Sequence, residues 1–147
     1  MASPVPLLIQ AGASCFMAGL IWTMQLLNYP LLAMISPADV PRYEQAHNRR
    51  FGWLVIPGVT VTLVTTAVML AERPAAVPFA VPLAALALLA VIVASTVVHG
   101  ARAHARLAQR YDASVQGMLV RGNWVRTAAW SALATLDLVT VAHLLPG

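Results

Sequence analysis

Residues 77–98 contain no charged side chain. A helix of about 20 apolar residues crosses the hydrocarbon core of a bilayer, and a backbone in lipid satisfies its polar groups only in helices or closed barrels. Comparable apolar runs cover about residues 5–28, 51–70 and 123–145. Four such runs in 147 residues leave room only for short connections. The expected fold is therefore an all-α integral membrane four-helix bundle, antiparallel, forming a single domain over residues 1–147.

Composition agrees. Only 10% of the residues are charged and mean hydropathy is +0.76, against roughly a quarter charged in soluble domains. All nine basic residues are arginine. They gather in the loops between spans 1 and 2 and between spans 3 and 4, which marks a membrane surface and argues against a nucleic-acid partner. Arg42, Arg49, Arg50, Arg102, Arg106, Arg110 and Arg121 lie on that side, with Arg126 just beyond, while Arg73 stands alone on the other. Positive charge favours the cytoplasmic side. The reading is a cytoplasmic (inner) membrane protein with both termini outside and helices 2 and 3 extended into the cytoplasm.

The sole cysteine, Cys15, falls within span 1, which excludes an intrachain disulfide and suits a small packing residue, a reactive thiol being the alternative. Residues 1–6 carry no positive charge, so a cleaved leader is not expected, and the lipoprotein-like Gly12-Ala13-Ser14-Cys15 is discounted for the same reason. Tyr29-Pro30 should close span 1. A helix should start near Ser36 or Asp39, tolerate Pro41 in its first turn, and run into span 2, where Pro57 predicts a kink. Residues 111–122 read as a loop, with Gly117 and Gly122 as breaks and Met118-Leu119-Val120 dipping into the interface.

The polar residues converge. Gln25 and Asn28 end span 1, Glu44, His47 and Asn48 approach on helix 2, and Thr96, His99 and His104 leave on helix 3. Span 4 begins with Asn123, Arg126 and Thr127. Equal distances from the turn near residue 75 put His47 opposite residue 103 or 104, and Arg49-Arg50 opposite residues 100–102. Three readings stand. The residues are ordinary interfacial groups, with Glu44 paired to an arginine. Alternatively Glu44, His47 on the same helix face, and His104 or His99 supply ligands for iron, copper or zinc. In the third reading Arg126, Arg50 and Asn123 hold an anionic or carbonyl-bearing ligand while His47 acts as general acid or base.

Asp137 lies deep in span 4, on a stripe with Asn123, Thr127, Trp130 and Ala134 at helical spacing. That face should point inward, and the same height is reached by Ser14 in span 1 and about Thr65 in span 2. An intramembrane carboxyl is either a register-fixing hydrogen-bonding group or a proton-relay step.

Gln25-x3-Tyr29-Pro30, Tyr43-x3-His47-x2-Arg50 and Asn123-Trp124-x-Arg126-Thr127 with Trp130 together resemble a group of small bacterial four-span membrane proteins of unknown function. At greater distance the chain is similar to the anthrone-oxygenase-like membrane family, whose last helix also opens with a polar Asn/Arg motif. The resemblance implies a four-helix bundle and oxidation of a polycyclic aromatic or quinone-like lipophile. It carries functional roles to His47, Arg50, Asn123 and Arg126, with Gln25 and Tyr43 in the lining, and Trp130 is a further candidate for contact with the substrate. The other class of function is a non-catalytic scaffold, accessory subunit or homo-oligomer in the membrane, whose polar residues lock helices or meet lipid headgroups.

Overall fold

A computed structural model describes residues 3–144. Four long helices account for most of them: α1 (Val5–Leu32), α2 (Val40–Ala71), α3 (Ala80–Leu107) and α4 (Ala113–Leu144). There is no strand among the described residues. Each helix is 28 or 32 residues long. At about 1.5 Å per residue they reach roughly 42–48 Å, well beyond a hydrocarbon core of about 30 Å. The chain has the build of a multi-pass membrane protein.

α4 packs along α1 and α3, and α1 also packs along α2, while α2 and α3 touch least among neighbouring helices. Three apolar layers fill the interior. Leu7, Met69 and Val77 form one end, Met17, Leu89, Ile92, Trp130 and Leu133 the middle, and Leu32, Val40, Leu107 and Leu119 the other end. The outer surface is equally apolar. Only 22% of the apolar window of α2 and 28% of that of α3 is buried within the protein, and Leu26, Trp53 and Ile56 project outward. Water would penalise such a surface, whereas lipid tails solvate it.

Local chemistry explains the helix ends. α2 starts at Val40 after Asp39, with Pro41 in its first turn, and it continues unbroken through Pro57. α1 does not stop at Asn28. It widens into a π-helical segment, Met24–Asn28, and then runs on to Leu32. Pro30 has no N–H to offer the carbonyl four residues back, and the wider turn absorbs that missing bond. Helix α3 begins at Ala80, not residue 77, and Val77 instead packs against Leu7 and Met69.

The largest departure from expectation concerns residues 113–122, which are helix and not loop. Asp112 starts them: its Oδ1 accepts bonds from the Ser114 N–H (2.9 Å), the Ser114 hydroxyl (2.6 Å) and the Val115 N–H (3.3 Å). The Ser114 hydroxyl foremost, then the Val115 amide, holds this carboxyl below its ordinary pKa. Gly122 is a point of close approach, not a break. A Cβ there would collide with the Cβ of His99 on α3.

Candidate functional site

Arg126 is the organising side chain of this end of the bundle. It lies on the inward face of α4 and is 5% exposed. Its Nε and Nη2 donate to Oδ1 of Asn123 at 3.3 and 3.2 Å, and its Nη1 donates to the carbonyl of Ser95 at 3.2 Å. Asn123 is fixed in turn. Its Nδ2 donates to Oε1 of Gln25 at 2.8 Å, with longer approaches to the Ile21 carbonyl and Thr127 hydroxyl at 3.4 Å. The Asn123 amide thus hands a hydrogen-bond chain from α1 to the guanidinium.

Both π-helical segments among the described residues lie at this level. Met24–Asn28 turns Gln25 towards Asn123 and leaves Met24 and Tyr29 buried as well. Thr96–Ala101 follows Ser95, the residue whose carbonyl accepts from Arg126. Gly100 sits against the guanidinium, and a Cβ there would stand 3.0 Å from Nη1. Widened turns free carbonyls and re-aim side chains, and they concentrate at functional sites.

Above Arg126 lies a cavity of about 310 Å³. Its walls are mainly apolar: Met17, Ile21, Phe51, Val55, Ile92 and Trp130. The polar groups reaching it are Tyr29, Asn48, Thr96, His104, Asn123 and Arg126. Most of the remaining wall comes from α2 and α3, the least tightly packed neighbours, and includes outward-facing Ile56, Ala101 and Ala105. The cavity therefore opens sideways between α2 and α3. Apolar walls with a few convergent polar groups, at a volume within the usual range of roughly 300–1,000 Å³, describe a small-molecule pocket.

His104 is the cavity histidine, and His47 stands behind it. Nδ1 of His104 bonds Oε2 of the buried Glu44 at 2.7 Å. The His47 ring stacks on His104 at 5.3 Å and on Phe51 at 4.8 Å, with its Nε2 buried and unpartnered. Glu44, His47 and His104 do come together, but not as a ligand set: among the described residues no group of three His, Cys, Asp or Glu side chains is arranged to hold a metal ion. One carboxylate oxygen and one ring nitrogen bind each other, and stacked rings present their faces, not their in-plane lone pairs. His99, whose Nδ1 is also buried without a partner, packs towards Gly122.

The other expected site residues separate. Trp130 lines the cavity and is 1% exposed. Gln25 is buried behind Asn123 as its support, not in the wall. Arg50 is exposed and does not join Asn123 and Arg126; with Tyr43 and His47 it lines a separate outer groove. The Tyr43 hydroxyl donates to Oδ1 of Asn28 at 2.6 Å. Tyr29 and Ser95 were not anticipated as site residues, although Pro30 directly after Tyr29 is a visible sign of irregular backbone there.

Asp137 belongs to a second polar cluster further along α4. It is fully buried, Oδ1 accepting from Nε2 of Gln10 at 2.8 Å and Oδ2 from the Ser14 hydroxyl at 2.7 Å. Oε1 of Gln10 accepts from the hydroxyls of Thr66 (2.9 Å) and Thr65 (3.1 Å). The expected neighbours Ser14 and Thr65 are both present, and Gln10 joins them.

No protein-family model, curated protein or solved structure matches this chain. The reading of its function rests on the site.

Proposed function

We propose that this is a membrane-embedded binding protein or enzyme that takes a lipophilic molecule from the bilayer and fixes its polar end at Arg126 and Asn123. The observation that carries this reading is the cavity of about 310 Å³, apolar in its walls, open between α2 and α3, and floored by a buried guanidinium. A lipophile diffusing in the membrane reaches that opening without passing through water. Asn123 and Ser95 hold the guanidinium in place before the ligand arrives, so little ordering is left to the binding step.

His104 supplies acid–base capacity. Its Nδ1 is committed to Glu44, which leaves Nε2 as the nitrogen able to exchange a proton with a ligand. The motif resemblance around Asn123 and Arg126 extends the proposal to oxidation of an aromatic or quinone-like lipophile. The arginine distribution supports an antiparallel bundle in the bacterial inner membrane, with both termini outside and the Arg126 end towards the cytoplasm.

Gly52 offers a direct test, because it lines the cavity and the nearest atom to a Cβ there is Ile56 Cδ1 at 3.8 Å. Wild-type protein purified in mild detergent should release a co-purifying lipophile on solvent extraction, detected by mass spectrometry. Gly52→Trp, which fills the cavity, should lose it while keeping its helical content. Identical extracts from both proteins would leave the cavity without a ligand role and favour the scaffold reading.

A further inference from the structure

Resting on that reading, we infer that the cavity selects ligands whose polar end is a monoanionic oxyanion, in preference to a neutral carbonyl or hydroxyl. A guanidinium carries five N–H donors and no acceptor. In Arg126 three of them are engaged, two on the Asn123 amide oxygen and one on the Ser95 carbonyl. The Tyr29 hydroxyl also reaches the guanidinium, so an oxyanion bound here shares the remaining Nη donors with a neutral hydroxyl that it can displace.

Charge makes the stronger argument. The Asn123 amide, the Ser95 carbonyl and the Tyr29 hydroxyl beside Arg126 all lack a negative charge. Among the described residues Glu44 is hydrogen-bonded to His104 and Asp112 pairs with Arg106, and no carboxylate is paired with Arg126. The cavity lining contains no Asp or Glu. A guanidinium 5% exposed inside an apolar bundle is expensive to maintain without a counter-charge. One negative charge neutralises the site; a dianion would leave an excess charge in the same low-dielectric space. The volume limits the buried part of the ligand to roughly ten water-sized groups at about 30 Å³ each. Anything longer extends through the α2–α3 opening into lipid.

The chemistry fits a lipophilic acid and also the phosphodiester of a membrane lipid. Binding of radiolabelled decanoate to the purified protein in mild detergent, at about pH 8 where the acid is ionised, is measured against competition by decan-1-ol and by phosphatidylglycerol. Decanoate should bind at least about tenfold more tightly than the alcohol, the worth of charge-assisted bonds to a buried cation. Arg126→Gln should remove that preference while leaving the alcohol bound. Displacement by phosphatidylglycerol at comparable concentration would assign the head to a membrane lipid, and resistance to it would assign a free acid. Equal binding of decanoate and decanol to the wild type overturns the inference and leaves the cavity reading intact, and this comparison needs no variant to fold. Failure of both probes to bind overturns the cavity reading itself.

Discussion

The two polar clusters on α4 are built from similar materials and finished differently. At Asp137 the carboxyl oxygens meet Gln10 and Ser14, and the Gln10 oxygen meets Thr65 and Thr66. α1, α2 and α4 are tied together there, and every residue of the network is buried. At Arg126 the same kind of chain runs from Gln25 through Asn123 to the guanidinium, which meets only neutral partners and faces a cavity. A closed network holds helices in register; an open one has hydrogen-bonding capacity left to offer a ligand. Polar residues inside a membrane protein are not informative by presence alone. What matters is whether their hydrogen-bonding capacity is used up within the chain.

The contrast predicts crossed outcomes for two substitutions. Asp137→Ala leaves Nε2 of Gln10 without its acceptor, while Ser14 can still turn to the Ala11 carbonyl at 3.2 Å. It should lower stability to unfolding in mixed micelles by about 2–3 kcal/mol, from the orphaned donor and the space left behind. Ligand binding by the folded fraction should be unchanged. Asp137→Asn keeps both bonds, since the Ser14 oxygen can accept from the new amide, and should cost less than about 1 kcal/mol. Arg126→Met should do the reverse, removing anion binding while changing stability by less than about 1 kcal/mol, because lost bonds to neutral acceptors are offset by removal of a desolvated charge. A stable Asp137→Asn protein without function would break the comparison and make Asp137 a proton-relay group.

A smaller effect separates the glycines. Gly122→Ala drives its new Cβ into the Cβ of His99, where neither atom can move without its backbone, and should cost about 1–3 kcal/mol in the same unfolding assay. Gly58→Ala meets the side chain of Met17, whose thioether swings aside, and should fall within about 1 kcal/mol of wild type. Equal costs would mean that α3 and α4 are packed no more tightly beside Arg126 than α1 and α2 are at mid-bundle.

Periodicity and helix-length arithmetic carried the sequence reading a long way. The inward stripe of Asn123, Thr127, Trp130, Ala134 and Asp137 is buried throughout, and counting heights placed Ser14 and Thr65 beside Asp137 and residue 104 beside His47. Those inferences need only a regular helix. They fail where the helix is not regular. The π segments rotate Tyr29 inward and put the Ser95 carbonyl under Arg126, and 3.6-residue counting cannot anticipate such a phase shift. For His47 and His104 the limit is of a related kind. Spacing brings both to one level, but only packing decides which ring faces the cavity and which lies behind it. Gln10 and the Asp112 cap were not anticipated, although Gln10 lies four residues before Ser14 on the same face and Asp112 two residues before Ser114. Glycine at 117 and 122 suggested breaks, because a sequence does not distinguish a glycine that breaks a helix from one that lets two helices touch.

The Asp112 cap gives the smallest effect and a pH dependence of known sign. α4 projects about ten residues beyond Asn123 before it reaches this cap, and the Asn123–Arg126 geometry hangs from the inner end of that extension. The Asp112 carboxylate accepts its bonds in the ionised form, so its pKa in the folded protein lies below the ordinary value, with the Ser114 hydroxyl as the largest cause. A group with a depressed folded pKa contributes stability that is complete above its unfolded value, about 3.9 for aspartate, and that disappears as pH falls through the lower folded value. At neutral pH, then, the first turn of α4 should be protected, and it should fray on acidification below that range. Hydrogen exchange at the amides of Ser114 and Val115 reads this directly. Asp112→Asn should accelerate exchange at those amides at neutral pH less than Asp112→Ala does, since an amide oxygen can still accept. Neither change should reach the amides around Arg126, where packing of Leu119 against Leu32, Val40 and Leu107 holds the helix independently of its end. Exchange that spreads from the cap to Arg126 would instead join the extension to the open polar cluster as one cooperative unit, and the Asp137 end would be the more autonomous of the two.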